Sequence, residues 1–384
     1  MIRLVVYSFP AAMDVVLSAA LFVCMVRVAE THASAKAVAV FMPIWALVYM
    51  LSSLTAGHIV TRRNAARLLI AACIGTGALS VGFVLSPNLA AMYVLVAMLG
   101  VTTAFFFTPF QVFMKLVDAG RNKGISHSTG LYTFAWSSGY ALGPFIAGYL
   151  WDRAGWQGCH IFNGIVTALI AVGVHLLKHH ADFATTACRD DSAPPPRQAE
   201  YAAMPDLAWM AWVFGGAGCL VIALIRGVFP SSGAAYGIPK PEQGTILFTL
   251  SAMQAVVGLA LSRSRGWMYR PGPVLAFGLF GVAGLALLYN ARHPAMFLLG
   301  AGCFGVYSGS FFFYFVFHSL VHPTRSGRYV SINEAVVGMT SIAGPFLGGS
   351  VADRHGLPAS YLAGLIIVVI AVAAQVRIHQ TQRR

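Results

Sequence analysis

The sequence predicts an all-α polytopic membrane protein with twelve transmembrane helices in two pseudo-symmetric six-helix bundles. The first observation behind this prediction is composition: the 384 residues are 58% hydrophobic and 10% charged, with a mean hydropathy of +0.73. A soluble protein carries about a quarter charged residues. Apolar runs of about 20 residues are long enough to span a bilayer as helices. We number them helices 1–12, near 4–26, 37–57, 66–86, 91–113, 129–150, 158–177, 208–229, 244–262, 272–290, 295–317, 329–350 and 359–377.

The second observation is an internal repeat. The fourteen residues from Gly143 recur from Gly344, 201 positions later, and are identical at seven of the fourteen positions. The same offset carries the segment 57–62 onto 258–263, with Gly57 and Gly258 in register. Two segments with one offset indicate a duplicated half-molecule. In so apolar a chain, this is typical of a secondary transporter whose site lies between its halves.

The duplication sets the predicted domain boundaries. An N-terminal six-helix bundle covers 1–178 and a C-terminal six-helix bundle covers 206–384. The intervening 179–205 is the largest polar interruption and contains three consecutive prolines among mixed charges. We therefore expect it to be a cytoplasmic linker.

The basic residues behind the net charge of +13 are distributed unequally between the two sides of the membrane. With the N-terminus inside, 18 of the 25 lysines and arginines fall in inner segments. The positive-inside rule then places both termini in the cytoplasm, and we expect an integral protein of a bacterial inner membrane. The basic residues are expected to contact anionic lipid heads, so their number implies no nucleic-acid partner.

Helix 5 carries a spaced series of small residues. Gly130, Gly139, Gly143, Pro144 and Gly148 follow the pattern Gly-x8-Gly-x3-Gly-Pro-x2-Ala-Gly. This resembles the antiporter motif of the major facilitator superfamily, in which a glycine replaces the alanine. Small residues let helices approach closely in lipid, and proline removes a backbone hydrogen bond. Close packing without any directional meaning is an equally good interpretation of the pattern.

A second motif follows helix 2. Gly57, Arg62 and Arg67 match positions of the superfamily's cytoplasmic loop motif, Gly-x3-Asp-Arg-x-Gly-x-basic-basic, but Thr61 and Asn64 replace its acid and second glycine. The resemblance implies the superfamily's twelve-helix fold over the whole chain, and transport by alternating access. The missing acid removes the electrostatic latch that the family places on the cytoplasmic side.

Two carboxylates fall well inside predicted helices, Asp14 in helix 1 and Glu334 in helix 11. A charge at mid-helix costs about 2.5–3.5 kcal/mol on insertion scales, so its presence predicts a function. Tyr7, Asp14 and Ser18 share one face of helix 1. The resemblance implies that helices 1, 4, 7 and 10 line a central cavity, where Asp14 would bind and release a proton. A polar packing contact for Asp14 and an ion pair for Glu334 are the structural alternatives.

Polar residues on helices 4 and 10 complete the predicted cavity. Aromatic walls with a few polar groups suit a small-molecule site, although packing is the simpler interpretation for any single phenylalanine. The predicted lining residues are Thr108 and Gln111 on helix 4, and Tyr307, Ser310, Tyr314 and His318 on helix 10.

Other charged and metal-ligating residues carry less weight. Arg226 lies near the outer end of predicted helix 7, ahead of Pro230. Attraction of an anionic solute is one interpretation of this arginine, and an interfacial position is the preferred one. His175, His179 and His180 stand without carboxylate or cysteine ligands nearby, so no metal and no cofactor are expected. No P-loop, Gly-x-Ser-x-Gly or His-Glu-x-x-His motif is present, which argues against ATP hydrolysis and against an enzyme.

These observations predict a monomeric secondary transporter that moves a small organic solute by proton-coupled export. Asp14 is the favoured protonation site and Glu334 the second. Proton-linked uptake of a small nutrient, such as a sugar or an organic acid, is the main alternative. A transporter-shaped sensor or scaffold that moves nothing is a further one. The absence of a lysine or arginine at middle depth disfavours an anionic solute for uptake.

Overall fold

The computed structural model describes residues 2–61, 63–86, 88–118, 125–178, 206–262, 267, 270–321 and 326–381. Within these ranges the chain forms helices and no β-strand. The labels α1–α12 follow the order of the predicted helices. They are α1 (Ile2–Ala29), α2 (Ala35–Ala39 with Phe41–Ile59), α3 (Ala65–Leu85), α4 (Leu89–Asp118), α5 and α6 (together Ile125–Leu177), α7 (Ala208–Ala235), α8 (Lys240–Ser262), α9 (Pro271–Asn290), α10 (Pro294–Val321), α11 (Ser326–His355) and α12 (Leu357–Thr381).

Eleven stretches of the described residues are helical, long and apolar enough to cross a membrane. One of them, Phe134–Leu177, has 44 residues, which is long enough for two crossings. It is divided at Gly155, where φ is 69° and ψ is 175°. Because an L side chain rarely adopts a positive φ, glycine is suited to this break. We take the residues before Gly155 as α5 and those after it as α6. The predicted all-α polytopic membrane fold is confirmed.

The break between α5 and α6 is repeated in the second half. Gly356 separates α11 from α12 with φ of 87°, and it lies 201 positions after Gly155. The offset found in the sequence therefore also relates the backbone conformation at two equivalent turns. Pro271 at the start of α9 and Pro294 at the start of α10 occupy helix N-terminal positions, where their missing N–H costs no hydrogen bond.

The described residues divide into two compact units. The first contains those within Met1–Thr31, Ile44–Arg189 and Pro239–Phe248. The second contains those within His32–Pro43, Asp190–Ile238 and Thr249–Arg384. Each unit thus includes a short segment from the other half of the sequence. The predicted linker at 179–205 lies outside the described residues, and the domain boundaries stay a prediction.

In the first unit, α1 is a largely buried helix. It lies along α5 and α6 and also contacts α4. Asn163 of α6 donates a hydrogen bond from Nδ2 to the main-chain oxygen of Val16, at 3.3 Å. A hydrogen bond from a side chain to a helix carbonyl is favoured in an apolar interior because water is not available to the amide.

In the second unit, α7 is likewise a largely buried helix. It packs mainly along α11 and also contacts α12. Phe315 and Phe311 of α10 lie against Gly215 and Gly218 of α7. One π-helical turn, Ala211–Gly215, interrupts α7 near its start, and such turns are frequent at functional sites.

Candidate functional site

Asp14 is a buried carboxyl group in the middle of α1. It lies about 2 Å along the axis from the midpoint of this 28-residue helix. Its residue is 4% exposed, and the neighbouring Met13 and Val16 are 0% and 1% exposed. Among the described residues, no basic side chain forms an ion pair with Asp14. A carboxyl group in such a place is expensive to ionise, since burial removes its hydration.

Ser18, one turn after Asp14, connects this position to α5. Its hydroxyl donates to the main-chain oxygen of Asp14 at 2.6 Å. The same hydroxyl lies so close to Gly143 of α5 that an added Cβ would overlap it. Ser18 is therefore enclosed between α1 and α5, in direct contact with the predicted antiporter-like motif.

The glycines of that motif permit close approach to two helices. A Cβ at Gly139 would overlap the main chain of Ala11 in α1, and one at Gly143 would lie 2.7 Å from the main-chain oxygen of Val15. A Cβ at Gly148 would overlap the main chain of Lys240, where α8 begins. The main-chain oxygen of Pro144 likewise lies against Gly244 of α8. The motif thus forms the helix-packing surface of α5, and a role in transport direction stays a prediction.

The remaining residues predicted on helices 1 and 4 differ in their burial. Tyr7 is buried on α1. Thr108 is partly buried and Gln111 is exposed on α4. One polar contact of α4 was not predicted from the sequence. Nε1 of Trp45 in α2 donates a hydrogen bond to the hydroxyl of Thr103 in α4, at 3.1 Å.

The predicted face of helix 10 packs inside the second unit. The Tyr307 ring lies against Gly281 of α9, and its centroid is 5.1 Å from that of Phe311. The Ser310 hydroxyl donates to the main-chain oxygen of Tyr307 at 2.7 Å. Tyr314 lies 5.0 Å from the ring of Trp267, and His318 is buried beside Phe317. These contacts assign the face a packing role here, and its role in a cavity stays a prediction.

Several predicted residues lie wholly or partly outside the described part of the chain. Glu334 belongs to α11 and Gly130 to α5, but their side-chain environments are not described, and Arg62 lies outside the described residues. Gly57 has open space at its Cα and Arg67 is exposed. Within the described residues, no group of three or more histidine, cysteine or acidic side chains is arranged to hold a metal.

Arg226 lies further from the end of its helix than the predicted span placed it. The predicted span ended at 229, before Pro230, whereas α7 continues through Pro230 to Ala235. Proline is tolerated there because it only removes the hydrogen bond to the main-chain oxygen four residues earlier, which is that of Arg226. Arg226 consequently lies eighteen residues after Ala208 and nine before Ala235. It therefore lies inside the candidate membrane span, about 7 Å from the helix midpoint.

Polar groups on two other helices lie near Arg226. Its Nη2 donates to the hydroxyl of Ser251 in α8 at 3.0 Å. One turn further along α8, Gln254 accepts a hydrogen bond from the hydroxyl of Ser308 in α10 at 3.3 Å. The sequence signal for this polar track is a serine and a glutamine spaced by three in predicted helix 8.

Comparison with known proteins decides the family. The sequence profile described as Major Facilitator Superfamily matches residues 4–321. The chain belongs to the major facilitator superfamily. A search of curated protein sequences finds no significant match.

Two solved transporters illustrate the fold that this superfamily member shares. The first is a bacterial homolog of the human lysosomal transporter Spinster, in an inward-facing, unoccupied conformation. It is 14% identical with a TM-score of 0.70, and the alignment covers 99% of this chain and 96% of that one. The second is the nucleoside transporter NupG, 10% identical with a TM-score of 0.73, covering 97% and 98%. At these identities the likeness establishes the fold alone, and the match to the superfamily profile over residues 4–321 is what makes the protein a transporter of this superfamily.

Proposed function

We propose that this transporter exports a small organic solute by proton antiport, with Asp14 as the group that binds and releases the proton. The observation that carries the proposal is the buried carboxyl of Asp14 at the middle of α1. A carboxyl retained at this depth costs free energy of insertion, about 2.5–3.5 kcal/mol on translocon scales. A proton lowers that cost, so any conformation that opens Asp14 to water on one side favours its ionisation.

The coupling requires competition between proton and solute. A carrier shifts between facing states only through differential affinity. Protonated Asp14 stabilises one facing state, and bound solute stabilises the other. The contact between Ser18 and Gly143 supports this scheme, because movement of α1 against α5 must change the surroundings of Asp14. Glu334 of α11 is the second proposed protonation site.

The proposal also includes the direction of transport, the oligomeric state and the membrane in which the protein lies. The small-residue series on α5, which resembles the superfamily's antiporter motif, favours export. Proton-linked uptake of a small nutrient is the competing function, and a non-transporting sensor or scaffold is the third. We further propose a monomer in a bacterial inner membrane, with both termini cytoplasmic and with no nucleic-acid partner.

The first test is solute-induced proton movement. Inverted membrane vesicles with an acidic lumen, containing wild-type protein, Asp14→Asn or Asp152→Asn, receive a panel of small molecules, and a pH dye reports the lumen. Asp152 is an exposed carboxylate at the end of α5 and serves as the matched control. We expect the same compounds to release protons through wild-type protein and Asp152→Asn, and to release none through Asp14→Asn.

Other outcomes assign the function elsewhere. Proton release that persists in Asp14→Asn removes Asp14 from the mechanism, and Glu334→Gln is then the variant to test. Acidification of right-side-out vesicles on addition of a compound establishes uptake instead of export. Flux of no compound in either vesicle orientation, with the protein verified in the membrane, contradicts transport of the panel and favours a sensor.

A further inference from the structure

The position of Arg226 bears on which solute this protein carries. Every residue from Val221 to Ile225, and from Gly227 to Pro230, is buried. These flanking residues cover the whole circumference of α7, since a turn has 3.6 residues. The helix is therefore enclosed by protein at this depth. Arg226 alone in this stretch is partly exposed, so its accessible surface belongs to an interior space and not to the lipid face.

The guanidinium of Arg226 is oriented toward α8. Its Nη2 lies 3.0 Å from the Ser251 hydroxyl, and Ser251 is 7% exposed. Ser251 and Gln254 are three residues apart and so lie on one face of α8. The 3.3 Å bond between Ser308 and Gln254 extends the polar surface to α10. Three helices thus contribute hydroxyl, amide and guanidinium groups to one side of the second unit.

The chemistry of this cluster selects a class of ligand. Arginine remains charged at all relevant pH values and presents a planar fork that matches carboxylate and phosphate oxygens. A membrane-embedded charge is costly, and its retention points to a ligand or ion pathway. The positive field in a low-dielectric interior raises the local concentration of anions about tenfold or more.

We propose that Arg226, with the Ser251 hydroxyl beside it, binds the anionic group of the transported solute. The solute is then a small organic anion with a carboxylate or a phosphate group, and not a neutral sugar or nucleoside. This inference rests on the transport of a small solute under the proposed function. It is independent of proton coupling and of Asp14.

Thiol chemistry tests the site even while the solute is unidentified. Ser251→Cys is made with Arg226 present and again with Arg226→Gln. Membrane vesicles of both orientations are treated with the anionic reagent sulfonatoethyl methanethiosulfonate or its cationic trimethylammonium counterpart. Mass spectrometry of the peptide that contains position 251 gives the rate of modification by the anionic reagent and the rate of modification by the cationic one. Peptide-level detection separates this thiol from the native cysteines, of which Cys303 is the partly exposed one among those described.

The expected result is a charge preference that depends on Arg226. Relative to a free thiol, the anionic reagent reacts about tenfold faster than the cationic one when Arg226 is present. The preference disappears in Arg226→Gln and is retained in Arg226→Lys, which keeps the charge. Gln254→Cys, one turn away, shows a smaller preference because the field decreases with distance. Protection of position 251 by benzoate, by phenyl phosphate or by both identifies the oxyanion that the site accepts, and benzamide is the neutral control.

Two results overturn the proposal. Equal rate ratios with and without Arg226 show that this arginine does not attract anions to the site. No modification by either reagent in either vesicle orientation shows that solutes do not reach it. Arg226→Lys keeps the positive charge. A charge preference that is present in Arg226→Lys and absent in Arg226→Gln is therefore due to the charge and not to a misfolded variant. Since labelling needs no proton gradient, its failure is distinguishable from failure of the antiport proposal.

Discussion

The two sequence halves share their packing but differ in their charges. In the first half, Gly143 of α5 brings α1 so close that a Cβ would lie 2.8 Å from the main-chain nitrogen of Ala19. In the second half, Gly344 of α11 does the same to α7, 3.0 Å from the main-chain nitrogen of Leu224. Gly143 and Gly344 are 201 positions apart. The residues that they contact, Ala19 and Leu224, are 205 positions apart, so the contact in the second half is shifted by about one turn along α7.

The charged residues inside the membrane do not follow this duplication. Asp14 of α1 corresponds to Gly215 in α7, and Arg226 of α7 corresponds to Met25 in α1. Each half therefore kept the glycines that allow α1 or α7 to pack, and each acquired a different charge on that helix. The comparison indicates that the scaffold is duplicated while the two proposed binding functions, for proton and for anion, are divided between the halves.

The largest expected effect comes from neutralising the two charges separately. Asp14→Asn is expected to reduce proton-driven flux to the level of vesicles without the protein, while the anion preference at position 251 remains. Arg226→Gln is expected to abolish that preference while the Asp14 carboxyl is intact. Flux and thiol labelling are measured on the same four combinations of the two substitutions. If Asp14→Asn removes the anion preference at position 251 as well as the flux, or if Arg226→Gln leaves that preference unchanged, the division of roles between the halves is wrong.

The duplicated packing is tested by valine at the two equivalent glycines. Gly143→Val and Gly344→Val each force a side chain into a neighbouring main chain, and overpacking costs about 1–3 kcal/mol. Both are expected to lower the thermal unfolding midpoint in detergent, measured by tryptophan fluorescence.

The matched controls are Gly57→Ala and Gly258→Ala, which also correspond by the 201-residue offset. A Cβ at either position meets no atom within 4 Å. Alanine in a helix interior is favoured over glycine by about 0.5–1 kcal/mol, so these variants should equal or exceed the wild-type midpoint. A clear loss of stability in the controls would remove steric overlap as the explanation.

A smaller effect is expected at the equivalent aspartates near the ends of α5 and α11, Asp152 and Asp353. Asp353 accepts hydrogen bonds from the main-chain nitrogens of Ala35 at 2.7 Å and Lys36 at 3.3 Å, at the start of α2. Loss of a carboxylate cap costs about 1 kcal/mol. Asp353→Ala should therefore lower the unfolding midpoint more than Asp152→Ala. Equal shifts would show that the capping interaction contributes nothing measurable.

The smallest effect is expected for the ion pair between Glu30 and Lys240 in the first unit. Exposed pairs of this type contribute about 0.2–1 kcal/mol and are screened by salt. Glu30→Gln should lower the midpoint slightly at low ionic strength and not at 1 M salt, roughly the concentration at which the Debye length is 3 Å. A salt-independent loss would indicate that Glu30 acts through packing instead of charge.

The elements of the fold were predictable, whereas the partner of each helix face was not. Hydrophobic length predicted the spans, and the repeat predicted the correspondence of Gly155 with Gly356. Spacing alone placed Tyr307 on a polar face of helix 10, but a helix has several neighbours, and Gly281 of α9 occupies that side. The distance of Arg226 from the end of its helix was not predicted, because the helix continues past Pro230.

The bond between Asp353 and the amides of Ala35 and Lys36 also has a consequence for biosynthesis. Its two ends are separated by 318 positions, so the ribosome needs about 16–64 s, at 5–20 residues per second, to make the second after the first. During that interval the start of α2 enters the membrane without its carboxylate cap. Until the last tenth of the chain has been made, this end of α2 therefore has only the local cap from the Ser34 hydroxyl, and a nascent chain stopped before α11 lacks the cap from Asp353.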